Sequence, residues 1–145
     1  MSPDETDLEE LERLSRKECV AALERNHLGR VVTTFGPNGR PLVRPVSYVY
    51  DAASGSIVFH SMSGGKLNAL LDRQDACFEI DGKSSGAMWS VIVRGRVETE
   101  DRPAEIARLE RLGLSPALTI PADGRWVRVR GEVITGVRFP APSGA

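Results

Sequence analysis

Hydrophobic positions first fall into a regular pattern behind Ser15. Val20, Leu23 and His27 follow at helical spacing, with Cys19 beside them. Ser15-Arg16-Lys17-Glu18 has the form of a capping box, in which the serine hydroxyl and the glutamate satisfy free amides reciprocally. This predicts a helix over Ser15–Asn26. From Gly29 the period changes to two. Arg30–Phe35 reads as a strand, and Gly36-Pro37-Asn38-Gly39 as a turn, because proline presets φ and glycine permits φ > 0. Pro41–Tyr50 is a second strand, with Leu42, Val46, Tyr48 and Tyr50 on alternating positions. Asp51–Gly55 turns the chain into a third, Ser56–Met62.

Beyond this three-stranded meander, Leu67, Leu70 and Leu71 form an i, i+3, i+4 stripe, which predicts a short helix over Gly65–Arg73. Ala76–Asp81 and Ala87–Glu100 are the fourth and fifth strands, and Gly95 marks a bulge or bend in the latter. Pro103 opens another helix, with Ile106 and Leu109 inward and Gly113 ending it. Trp126–Phe139 is a sixth strand region, interrupted at Gly131 or Gly136. The expected fold is mainly β with small helices (α+β), a six-stranded antiparallel barrel whose closure removes exposed sheet edges. Residues 15–139 form the one domain. Residues 1–14, with acids at Asp4, Glu5, Asp7, Glu9, Glu10 and Glu12, are expected to be a solvated lead-in, and 140–145 a frayed tail.

Composition narrows the function. Nineteen basic residues against 20 acidic leave a net charge of −1, unlike the strong basic excess of a nucleic-acid binder. No apolar run approaches the roughly 18 residues of a membrane helix, and the acidic start is unlike a secretory signal. A cytoplasmic protein is expected. Two cysteines, Cys19 and Cys77, make no disulfide scaffold, and His27 and His60 do not stand at metal-ligand spacing from them. No glycine-rich dinucleotide fingerprint follows a strand.

The densest chemistry lies in Phe59-His60-Ser61-Met62-Ser63-Gly64-Gly65-Lys66, where a strand ends and glycines open a helix. Free amides at a helix start suit a phosphate, and Lys66 adds a charge there. A plain helix start with a surface lysine has the same sequence. Arg44-Pro45-Val46-Ser47-Tyr48 puts Arg44, Val46 and Tyr48 on one strand face and Ser47 and Val49 on the other. Arg44 could clamp a phosphate or simply face solvent. Trp89 suits a core, an interface or the flank of a planar ligand.

Taken together and in this order, these segments resemble the pyridoxamine 5′-phosphate oxidase-like split β-barrels, over about Ser15–Phe139. The carrying motifs are Leu28-Gly29-Arg30-Val31, Arg44-Pro45-Val46-Ser47-Tyr48, Phe59-His60-Ser61 with Gly64-Gly65-Lys66, and Trp89-Ser90-Val91-Ile92-Val93-Arg94-Gly95. The resemblance implies an FMN-binding oxidoreductase acting on a small molecule, with the cofactor at the interface of a homodimer and Trp89 or Tyr48 near that interface. It assigns Arg44, Val46, Ser47, His60, Ser61, Lys66, Trp89 and Ser90 to the cofactor, with Lys66 on the phosphate. No acid or base is assigned. Relatives also include deazaflavin (F420)-dependent reductases and haem-handling proteins. Gly65-Lys66 replaces the Arg-Lys pair of the true oxidases, and Gly136-Val137-Arg138-Phe139-Pro140 replaces their substrate-gripping end, so vitamin B6 phosphates are not the expected substrate.

Overall fold

The computed structural model describes residues 11–35, 37–61, 74–113 and 125–141. The expected helix over 65–73, and Lys66 with it, lie outside the described residues. Eight strands and two helices are present among those described: β1 (Glu12–Arg13), α1 (Arg16–Arg25), β2 (Leu28–Phe35), β3 (Arg40–Asp51), β4 (Ser56–Ser61), β5 (Asp75–Ser84), β6 (Ala87–Glu100), α2 (Pro103–Glu110), β7 (Arg125–Arg130) and β8 (Val133–Pro140). The strands β6-β5-β2-β3-β4-β7 are hydrogen-bonded in that order, and β7 returns to β6. Every pairing is antiparallel, so the ring is a closed six-stranded barrel.

β6 serves both halves of the molecule. Ala87–Arg94 pair with β8, and Val97–Glu100 pair with β7, while β5 lies along the opposite edge from Ala87 to Arg96. The change of partner falls at Gly95. A Cβ on Gly95 would overlap the carbonyl oxygen of Arg130 and stand 2.7 Å from its carbonyl carbon. Gly95 therefore does not break the strand, which runs unbroken through it; it lets a second backbone cross at close range. The sixth strand region divides at Gly131, giving β7 and β8, whereas Gly136 stays inside β8 beneath Cys19 Sγ. Order also begins before Ser15: Glu12 and Arg13 add a short strand to β8, and Arg138 reaches Glu12 at 3.2 Å.

Alternation places Val31, Ile57, Phe59, Phe78, Ile80, Val91, Val93, Val97, Val127 and Val129 inside the barrel. Helix α1 has the capping box, with the Ser15 hydroxyl accepting from the Glu18 amide at 3.1 Å and the Ser15 amide donating to Glu18 Oε1 at 3.0 Å. It contributes Cys19, Ala22 and Leu23 to the same core. Each fully buried Val, Leu, Ile or Phe side chain contributes roughly 1.5–3 kcal/mol. Tyr48 is fully buried, edge-on to Phe78 at 4.7 Å, and its hydroxyl donates to the Leu23 carbonyl at 2.8 Å. Tyr48 is thus a core residue of the single chain.

A second, smaller core forms outside the wall. Val58 points away from the interior that Ile57 and Phe59 fill, yet it is buried, because α2 lays Leu109, Ile106 and the following Leu112 over Val58 and Trp126. Ion pairs fix the helix there. Arg108 pairs with Asp51 at 2.7 Å, buried Arg128 with Glu100 at 3.1 Å and Glu105 at 2.9 Å, and Arg102 with Glu100 at 2.8 Å. Asp51 and Glu100 are each held down to about 2, first by hydrogen bonds from Arg108 and Arg102 respectively. No helix among the described residues is long and apolar enough to cross a membrane.

Candidate functional site

The barrel opens where β3 and β4 part. β4 pairs with β7 along all six residues, but with β3 only from Asp51 to Tyr48. Residues 40–47 of β3 therefore pair with β2 on one edge, and no described strand covers the other. Carried on one step, the β3–β4 register would set Ser47 opposite His60, and a second step would set Val46 opposite Ser61.

Which backbone groups face that free edge follows from one hydrogen bond. The Tyr48 amide donates to the His27 carbonyl on the β2 side at 2.9 Å. Amides alternate in direction along a strand, so those of residues 40, 42, 44 and 46 also turn toward β2, and those of 41, 43, 45 and 47 turn outward. Pro41 and Pro45 have no N–H to give. The outward donors are the amides of Val43 and Ser47, accompanied by four carbonyls.

The side chains follow the same alternation. Leu42 and Val46 pack against the barrel core, and Tyr48 lies within it. Arg44 shares their face but is exposed, since β4 has already diverged, and it makes no ion pair with a described residue. Pro41, Val43, Pro45 and Ser47 are exposed on the opposite face.

His60 closes the other side of the opening. It stands opposite Trp126 on β7, whose ring it meets edge-on at 5.4 Å and 86°. Its Nδ1 is buried and has no hydrogen-bond partner among the described residues. Burial pushes the imidazole below its ordinary pKa, so the ring is held neutral near pH 7. A neutral ring offers one donor and one acceptor, and a buried orphan nitrogen is costly unless something binds it.

Arg44, Val46, Ser47, His60 and the backbone of Ser61 are thus brought to one opening. Ser90 and Trp89 are not part of it. Ser90 stands on β6 opposite Asp81 of β5 and Val137 of β8, with β5 and β2 between it and Ser47. Trp89 lies on the other face of β6, packed against the barrel core and opposite Gly82 and Arg138. The two outward amides of β3 and the Trp126 ring are features that residue spacing alone did not bring forward. The four-residue spacing of Pro41 and Pro45 is the signal that could have marked the free edge.

A closed antiparallel barrel with a gap between two of its strands, lined by an edge and a histidine that have no partner among the described residues, is a split β-barrel. Residues 15–138 match the family described as pyridoxamine 5′-phosphate oxidase, and the chain belongs to that family. It is similar to the FAD-binding protein from Mycobacterium smegmatis, at 33% identity over 90% of this chain and 100% of that one, with a TM-score of 0.77. A Corynebacterium glutamicum protein assigned to the pyridoxamine 5′-phosphate oxidases is 30% identical over 90% of this chain and 99% of its own, with a TM-score of 0.78. Rv0080, an uncharacterized Mycobacterium tuberculosis protein, is 29% identical over 92% of this chain and 89% of its own.

Proposed function

We propose that this chain binds a flavin nucleotide in the opening between β3 and β4 and acts as a flavin-dependent oxidoreductase on a small molecule. The observation that carries this reading is the buried Nδ1 of His60, unpaired among the described residues, beside the edge of β3 that no described strand covers. A flavin ring is flat and apolar, with hydrogen-bonding atoms along one edge. The opening answers with the outward amides of Val43 and Ser47, the neutral His60 ring and the apolar Leu42 and Val46. Arg44, exposed and without an ion pair among the described residues, suits the anionic part of the nucleotide. FMN is the form implied by the motif that ends in Lys66; FAD is favoured by what the Mycobacterium smegmatis relative binds. The bound ring supplies hydride or electron transfer, and the protein supplies orientation, electrostatics and exclusion of water.

The reading includes a homodimer. Leu28, Val43 and Val133 are 63%, 57% and 49% exposed on the outer face of the sheet, on β2, β3 and β8. A second copy on this face would cover them, and in a twofold dimer the opening would meet a partner's sheet.

The test is titration of the protein with FMN, FAD and riboflavin, followed by flavin fluorescence. Ser47→Pro removes one outward amide at a position where the fold already accepts Pro41 and Pro45. It should weaken all three ligands about tenfold, the equivalent of one hydrogen bond of ~1.4 kcal/mol. Lys66→Ala should weaken FMN by about ten- to a hundredfold and leave riboflavin nearly unchanged. Failure to take up any flavin refutes the reading, and a protein that arrives carrying F420 or haem, seen in its visible spectrum, replaces it.

A further inference from the structure

We propose that the cleft between α1 and the β5–β6 hairpin is a second small-molecule site, built for a flat aromatic anion and separate from the opening between β3 and β4. The cleft has a volume of about 470 Å³, within the range of small-ligand pockets. It lies on the face of β6 opposite to Ser90, where β5, β6 and β8 extend beneath α1, and its lining shares no residue with the first opening.

Trp89 forms one wall. Its half-buried ring lies across Gly82, where any Cβ would come within 2.6 Å of Trp89 Cζ2, so glycine is what lets the indole settle flat against β5. The indole N–H makes no hydrogen bond with a described residue. Ala21 and Ala22 of α1 form part of the facing wall, and their small side chains leave the width that a ring system needs. A large apolar surface beside a narrow, small-residue wall selects a flat ligand.

The charges then set its sign. Arg138 at the rim is already engaged by Glu12 at 3.2 Å and Glu18 at 3.5 Å, and Glu18 is itself tied into the α1 capping box. Arg25, in the last turn of α1, has no ion pair with a described residue. The uncommitted polar groups of Arg25 and Trp89 are therefore donors only, with a full positive charge on one of them. A planar apolar body bearing a carboxylate, sulfonate or phosphate would satisfy both.

The probe is 1-anilinonaphthalene-8-sulfonate, with N-phenyl-1-naphthylamine as the same ring system without charge. Both are titrated into the full chain, read by probe fluorescence and by quenching of tryptophan emission. One sulfonate probe per chain should bind, and saturating riboflavin, which occupies the first opening but carries no anionic group, should not displace it. Ala21→Phe, which fills the cleft, should weaken it at least tenfold while FMN affinity stays as in the parent. Arg25→Gln, an exposed change that does not threaten folding, should weaken the sulfonate at least fivefold and leave the neutral probe unchanged. Displacement by riboflavin, or an unchanged sulfonate affinity in Ala21→Phe, overturns the second site. Equal losses of both probes in Arg25→Gln overturn the anion contact. Because flavin binding is read separately, a protein that takes up no flavin but passes these tests refutes only the first reading.

Discussion

Replacing Gly95 with alanine tests the crossing on which the barrel's closure depends. The added methyl group would overlap the Arg130 carbonyl, a backbone atom that cannot swing aside as a side-chain tip could. Either β6 or the β7–β8 connection must shift. Overpacking of this kind costs roughly 1–3 kcal/mol before any bond is lost. A shift also strains hydrogen bonds that flank the crossing, from the Glu132 amide to the Arg94 carbonyl at 3.0 Å and from the Val97 amide to the Gln74 carbonyl at 2.8 Å. At about 1 kcal/mol each, they bring the loss to roughly 3–5 kcal/mol. That is a large part of the ~5–15 kcal/mol that holds a typical domain together. Melting followed by circular dichroism should fall by about 10–15 °C, at roughly 3 °C per kcal/mol for a chain of this size. Gly39→Ala is the control. Gly39 has φ +61° with nothing within 4 Å of an added Cβ, so it should lose only the ~1 kcal/mol of a left-handed alanine. If Gly95→Ala melts within a degree or two of the parent, or no lower than Gly39→Ala, the close crossing at Gly95 is wrong.

Three further outcomes follow from the packing. Asp51 and Glu100 are held ionised well below their unfolded values, so their contribution is full above about pH 4.5 and drains as pH falls toward about 2; Arg108→Met should raise the acid-unfolding midpoint, measured by fluorescence. Arg128→Met breaks two ion pairs but leaves Glu100 with Arg102 and Glu105 with Arg108. Urea unfolding should therefore show a loss of about 2 kcal/mol, short of the ~3–5 kcal/mol of a buried charge left alone. Tyr48→Phe removes the hydroxyl that donates to Leu23 and should cost about 1 kcal/mol by the same assay, with the helical circular dichroism retained.

Local chemistry made much of this fold legible. The capping box at Ser15 and Glu18, Pro103 in the first turn of α2, and the two-residue alternation of β3 each act within a few residues and appear where the sequence puts them. What escaped depends on contacts far apart in the chain. Glu12-Arg13 reads as the end of an acidic run, and only Arg138 and the edge of β8 make it a strand. Gly131 and Gly136 are equivalent on paper. Cys19 packs over Gly136 inside a continuous strand, while Gly131 lies against the Gly55 carbonyl where the chain turns from β7 to β8. At the candidate site, the Arg44-Pro45 strand and His60 could be read from the sequence. The setting of His60, unpaired among the described residues, could not, because it depends on Trp126, 66 positions away (126 minus 60), and on the point where β3 and β4 separate.

The double service of β6 bears on how the chain comes to fold during synthesis. Its partners on the two sides of Gly95 are β8 and β7, which follow it in the chain and leave the ribosome after it. Until about residue 130 has emerged, β4 and the far half of β6 each lack the neighbour that closes the ring. The nascent chain therefore carries one open β edge once β4 has emerged and two between the end of β6 and the arrival of β7, and closure requires contacts of long sequence separation, which form slowly. Pro41 and Pro45 interrupt the donors of a third open edge, that of β3, which stays free among the described residues even after the ring closes. A stalled or truncated chain ending before β7 should associate through its strands, and one extended past β8 should not.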